Sequence, residues 1–185
     1  MRKIVLAAAG AVAAFAIAAS PAVAAKEKDK TIVDKVVENS GADGFDTNPG
    51  DFDILREAVE ATELVGLLDG KRQLTVFAPT DQAFLDLTGT STEEDAFNGV
   101  AALGLPAVKQ VLKYHVAPGR RAADQVVNAH RIPTLLKGEF LRKFRGSTEL
   151  VDGAGRTTGI AALNAASVSN GIIHVLDGVL LPIEL

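Results

Sequence analysis

The sequence predicts an α+β fold with an antiparallel sheet, and three observations predict it. Helical apolar periodicity fills the first two thirds of the chain. Six short apolar segments, punctuated by glycine, fill the last third. No internal repeat is present. Helices first and strands afterwards describe segregated layers rather than an alternating α/β arrangement.

The first 25 residues read as a leader and not as fold. Arg2 and Lys3 precede an apolar run from Ile4 to Ala19, Ser20-Pro21 breaks it, and Ala22-Val23-Ala24 supplies a small-residue cleavage site. That order describes a secretory signal peptide cut after Ala24 or Ala25. A membrane span needs about 20 strongly apolar residues, and this run is shorter and rich in alanine. The expected location is extracytoplasmic: extracellular, cell-wall or periplasmic. Residues 26–30 read as a charged tether, and residues 31–185 as one domain.

Losing Arg2 and Lys3 takes the formal net charge from −4 to −6. A nucleic-acid binder needs a clustered positive surface, so that class is disfavoured. The chain has no cysteine, so an exported domain of this composition must hold together by apolar packing alone. It has no tryptophan and one tyrosine, which disfavours an aromatic sugar-stacking platform.

The elements follow in order. Thr31-Ile32-Val33-Asp34 is a capping box that opens a short helix through Val37. Gly41 to Asp53 reads as loop. Ile54, Leu55, Ala58, Val59, Thr62, Val65 and Leu68 share one helical face, and Gly70 ends that helix. Leu74 to Ala78, bounded by Pro79, is a buried strand. Thr80 or Asp81 caps a short helix that carries Ala83 and Phe84 inward. Ser91-Thr92-Glu93-Glu94 is a second capping box, starting a helix toward Leu103. Pro106 stands in the first turn of the next helix, on which Val108, Val111, Leu112 and His115 recur, and Gly119 ends it. The expected strands are Thr134–Leu136, Phe140–Phe144, Glu149–Val151, Ile160–Leu163, Ile172–Leu176 and Val179–Leu181.

Candidate sites are few. His115, His130 and His174 lack close ligand spacing, and neutral core histidines are the better reading of His115 and His174. Asp46, Asn48 and Glu57 match positions 1, 3 and 12 of a calcium loop, but Asp51 stands where that loop requires glycine. The stretch therefore reads as an acidic, solvated loop, and no metal or cofactor is expected. No Gly-x-Ser-x-Gly elbow and no phosphate loop occurs, and Ser167 and Ser169 near His174 look like strand or turn residues. The expectation is a protein that is not an enzyme. Arg131, Lys137, Arg142, Lys143 and Arg145 form a basic stretch in an acidic protein. Strand periodicity places Lys143 and Arg145 on one face and Arg142 with Phe144 on the other. The stretch is read first as a strand edge guarded by charge. The alternative is a patch for acidic polysaccharide or anionic lipid headgroups.

Three segments carry a family resemblance. They are Leu74-Thr75-Val76-Phe77-Ala78-Pro79-Thr80-Asp81-Gln82-Ala83-Phe84, Leu112-Lys113-Tyr114-His115-Val116, and Asn170-Gly171-Ile172-Ile173-His174-Val175-Leu176-Asp177-Gly178-Val179-Leu180-Leu181-Pro182. In this order and spacing they resemble the fasciclin-like (fasciclin I) domain, here as a bacterial-type secreted single-domain member. The resemblance implies a β-sandwich or wedge flanked by helices. It implies non-catalytic adhesion, or interaction with a matrix or cell-surface protein or polysaccharide. The alternative is a carrier for an apolar small molecule or lipid. The motif residues Thr75, Phe77, Pro79, Thr80, Asp81, Phe84, Tyr114, His115, Asn170, Gly171, His174, Asp177 and Pro182 are expected to be mainly structural. Asp81 is expected to satisfy amides at the start of the helix that follows it. Where animal members carry an Asp-Ile pair linked to adhesion, this chain has Ala165-Ala166, and it contains no Arg-Gly-Asp.

Overall fold

A computed structural model describes residues 29–41 and 44–182. The leader and most of the tether lie outside the described residues. Seven helices and seven strands are described: α1 Ile32–Glu38, α2 Asp53–Ala61, α3 Val65–Leu68, β1 Leu74–Pro79, α4 Asp81–Thr88, α5 Glu93–Ala101, α6 Leu105–Tyr114, β2 Val116–Pro118, α7 Ala123–Val127, β3 Arg131–Pro133, β4 Phe140–Arg142, β5 Glu149–Val151, β6 Thr157–Val168 and β7 Gly171–Leu176.

The strands form one sheet in the order β2-β1-β7-β6-β5-β4-β3. The sheet is mixed, which corrects the antiparallel expectation. β1 and β7, the signature strands, pair in parallel from Leu74 opposite Gly171 to Pro79 opposite Leu176, while every other pairing is antiparallel. Both strands are apolar on both faces because both faces are covered. The long β6 pairs β5 through Thr157–Gly159 and β7 through Ile160–Val168. Its register shifts on either side of Ala162, and Asn164 adopts a positive φ of 52° there. At the far end, the Leu135 amide donates to the Val116 carbonyl at 2.7 Å, so the two ends of the strand order nearly meet. The sheet curls toward a barrel rather than forming a sandwich.

Strand alternation splits the interior in two. Val76 and Ala78 of β1, with Ile173 of β7, face a larger core built with α1, α2, α4, α5 and α6. Phe77 and Leu176 face the other way, into a smaller core with Tyr114, Val126, Ile132, Leu141 and Leu150 inside the curled sheet.

Four local expectations are corrected. The helix over Ile54–Leu68 is two helices, because Glu63 adopts φ 57° between them. β3 is Arg131–Pro133 and not Thr134–Leu136, and Val179–Leu181 is buried without joining the sheet. The expected capping box on Ser91 is replaced by a simple cap at Thr92, whose hydroxyl accepts the Asp95 amide. Thr31 and Asp34 cap α1 reciprocally.

Candidate functional site

Most signature residues tie segments together. Asn170 Oδ1 accepts the Ile32 amide, and its Nδ2 donates to the Leu68 and Gly70 carbonyls, all in the interior. Thr75 Oγ1 donates to Gly119 O and accepts the Arg121 amide. Asp177 Oδ1 accepts the Gly159 amide. Gly171 lies so close to the Leu74 carbonyl and Ile32 that a Cβ there has no room. Phe77 and Phe84 are core residues, Pro79 ends β1 opposite Leu176, and Pro182 packs over Gly153.

The two motif histidines are buried and neutral. His115 Nδ1 donates to Val111 O at 2.8 Å, and Nε2 accepts the Leu180 amide at 2.9 Å, which fixes the tautomer. Burial pushes its pKa down to about 4. His174 Nδ1 accepts the Asn164 amide and Nε2 donates to Arg121 O, while its ring stacks on Phe77 at 5.5 Å. Burial lowers its pKa as well. The Tyr114 hydroxyl donates to Phe140 O, and burial raises its pKa to about 12. Neither histidine is placed to pass a proton to a substrate.

Asp81 does not cap its own helix. Its Oδ2 accepts the Asp53 amide at 2.8 Å and its Oδ1 the Ile54 amide at 2.9 Å, so it caps α2 instead. Thr80, at the N-cap of α4, makes no side-chain capping bond. The loop before α2 is not solvated as expected. Asp51, Asp53, Asp81 and Glu93 are all buried, and Asp46 stands at their exposed side. Asp53, Asp81 and Glu93 are the first residues of α2, α4 and α5, so three helix starts converge on this cluster. Burial and neighbouring carboxylates push all three pKa values up, Asp81 to about 8 beside Asp51.

The basic stretch forms a groove along β3 and β4. Arg131 and Arg142 are cross-strand partners on one exposed face. The Arg131 guanidinium lies 3.4 Å from the centre of the Phe140 ring, and Phe144 beside it is 74% exposed. Arg142, Phe144 and His130 line the groove. Lys143 corrects the expected pattern: it is buried, its ammonium donates to Ser147 O, and burial lowers its pKa. β4 is also interior to the sheet, so Arg142 guards no edge, and only Arg131 stands on the terminal strand. Lys137 and Arg145 are exposed in the flanking turns, where Arg145 donates to Asn128 O.

An apolar cavity lies between α1, α2 and β1, lined by Ile32, Leu55, Val59, Val76 and Leu112. Its volume is about 40 Å³. Drug-sized ligands occupy about 300–1,000 Å³, so the space suits packing better than a carried molecule.

The pattern of the Fasciclin domain matches residues 50–182. The chain belongs to the fasciclin family. Protein sll1483 of Synechocystis is 33% identical over 173 residues, covering 88% of this chain and 88% of that protein. Stabilin-2 of mouse is 30% identical over 128 residues, 67% of this chain but 4% of that protein. The pig transforming growth factor-beta-induced protein ig-h3 is 29% identical over 132 residues, 71% of this chain and 18% of that protein. A solved fasciclin domain pair from the insect cell adhesion molecule Fasciclin I superposes with a TM-score of 0.61 at 18% identity. It covers 82% of this chain, which spans 51% of the pair. The shared fold is the fasciclin fold of helices around a mixed seven-stranded sheet.

Within this fasciclin domain, sequence reading missed the buried carboxylates Asp51, Asp53 and Glu93. It also missed Asp152, which accepts the amides of Arg156 and Leu181 and pairs with the Arg156 guanidinium at 3.1 Å. The available signal was weak: an Asp followed four residues later by Arg, near glycine. Ala166 is buried on β6 opposite Ile173. Among the described residues, no helix is long and apolar enough to cross a membrane.

Proposed function

We propose that this fasciclin domain is an extracytoplasmic, non-catalytic adhesion module that binds acidic polysaccharide along the β3–β4 groove. The observation that carries the reading is the cross-strand pair Arg131 and Arg142, flanked by Phe140 and the exposed Phe144. Two guanidiniums on one face present planar forks that match carboxylate or sulfate groups. Phe144 offers an apolar face for a sugar ring beside them. The protein is acidic as a whole, so this basic stretch stands out against its net charge of −4. The leader-like start supports export, and the likeness to an insect cell adhesion molecule supports an adhesive role.

Chromatography of the purified protein on immobilised heparin, on a neutral polysaccharide and on anionic vesicles tests the reading. Retention on heparin that falls with salt is expected, with loss in the Arg131→Ser/Arg142→Ser double variant. Passage of the wild type through heparin at low salt overturns it. So does equal retention of the double variant, or retention on vesicles alone.

A further inference from the structure

The starts of α2, α4 and α5 converge on five carboxylates, which form two triads. One carboxylate oxygen from each of Asp51, Asp53 and Asp81 lies within 4.8 Å of the other two, and the same holds for Asp46, Asp51 and Glu93. Two oxygens bound to one calcium ion at about 2.4 Å can be at most about 4.8 Å apart, and each triad meets that spacing. Asp51 belongs to both.

A second observation concerns partners. Asp53 has no exposed surface, and neither of its carboxylate oxygens accepts a hydrogen bond. Asp51 Oδ1 is equally unpartnered and buried. Unpaired buried carboxylates are costly, and native structures neutralise them with a partner charge, a proton or a metal. One protein cation reaches the cluster, against five carboxylates. The segment 44–52, α4 and α5 contain no lysine or arginine. On α2, Arg56 stands 3.8 Å from Asp53 Oδ1, but it bonds Glu57 at 3.1 Å. The first amides of α2 are already taken by Asp81.

We propose that Asp51, Asp53 and Asp81, with Asp46 and Glu93 beside them, form a calcium site that pins the loop before α2 to three helix starts. The donor set is all oxygen and anionic, which selects a hard cation. Its irregular, carboxylate-crowded geometry suits calcium, whereas magnesium demands an octahedron and keeps its waters. Asp46, exposed, marks the entrance. This is not a helix–loop–helix calcium loop. Glu57 bonds Arg56 instead, and Asn48 Nδ2 donates to Asp51 Oδ2.

The test is thermal unfolding after dialysis against chelator, with calcium binding followed by titration calorimetry. An affinity in the extracellular range, Kd about 10⁻⁴–10⁻³ M, is expected. At a hundredfold excess over Kd the midpoint rises by roughly 5–10 °C. Magnesium chloride, or sodium chloride at matched ionic strength, gives a small fraction of that. Asp53→Asn relieves repulsion, so it melts higher than wild type in chelator and loses the calcium shift. Asp46→Asn, at the exposed entrance, folds as wild type and binds calcium about tenfold more weakly. The site is overturned if calcium neither shifts unfolding nor releases heat, if sodium chloride matches it, or if Asp46→Asn binds as tightly as wild type. An equal shift with magnesium overturns the assignment to calcium. Should Asp53→Asn fail to fold, Asp46→Asn decides.

Discussion

Asn170 and Ile32 stand 138 positions apart, yet the Asn170 side chain accepts the Ile32 amide at 2.9 Å in the interior. The same amide group donates to Leu68 and Gly70, so one side chain joins α1, the end of α3 and the β6–β7 turn. Removing it strands the Ile32 donor and the Leu68 acceptor in the interior and takes a partner from the half-buried Gly70 carbonyl.

Asn170→Ala is therefore expected to cost about 2–4 kcal/mol, since each stranded buried polar group costs about 1–3 kcal/mol and the losses overlap. Urea denaturation measures it as a lower midpoint at unchanged slope.

Gly171 predicts a steric effect. An added methyl meets the Leu74 carbonyl, which is fixed in the sheet and cannot move aside, and the Ile32 side chain. Gly171→Ala is expected to cost about 3 kcal/mol or more by prying β7 from β1. Gly89→Ala is the control. It has open space at φ 68°, and is expected to cost about 1 kcal/mol from backbone strain alone. Equal losses in the two variants would contradict the clash.

Two buried groups pull stability in opposite directions with pH. His115 titrates at about 4 folded against 6.5 unfolded, with Asp152 and Arg156 the charges nearest it. The unfolded chain takes up that proton first, so this contribution is complete above about 6.5 and is lost as the pH falls toward 4. Asp81 titrates at about 8 folded against 3.8 unfolded, facing Asp46, Asp51, Asp53 and Glu93 with Arg56 nearby. The folded state holds that proton longer, so its contribution is complete below 3.8 and is lost as the pH rises through 8. In chelator, stability is expected to peak in mildly acid solution. His115→Gln flattens the acid limb and Asp53→Asn the alkaline limb, each limb sloping by at most about 1.4 kcal/mol per pH unit and per proton. Urea midpoints from pH about 4 to about 8 read both.

Phe144→Ser separates binding from folding. With 74% of its surface in solvent, Phe144 contributes little to the core, and its loss is expected to change stability by less than about 0.5 kcal/mol. Retention on heparin is expected to weaken several-fold. Unchanged retention would leave the arginines acting without it.

Local chemistry was legible in the sequence. The Thr31 cap, the strand at Leu74 and the glycine-marked strands at Phe140, Glu149 and Gly171 all depend on neighbours a few positions away. What depends on distant neighbours was not. The three-residue strand β2, the parallel pairing of β1 with β7 and the inward turn of Lys143 are set by tertiary packing. Asp81 shows the limit most clearly: its residue type announced a cap, but the amides it serves belong to a helix that begins 28 positions earlier. The basic patch was legible as composition, while its groove came from the curl of the sheet. The acidic cluster was hidden because Asp53, Asp81 and Glu93 meet only when three helices are packed.

The parallel contact of β1 with β7 also orders events during synthesis. β1 is made early, but its partner strand, Gly171 to Leu176, follows only 97 positions later in the chain. Until then β1 lacks one neighbour, Asn170 has not reached Ile32, and the larger core lacks Ile173 and Val179. A nascent or truncated chain ending before Gly171 therefore cannot close its sheet. The domain has no way to finish in halves, because its sheet closes only once Gly171 to Leu176 is in place.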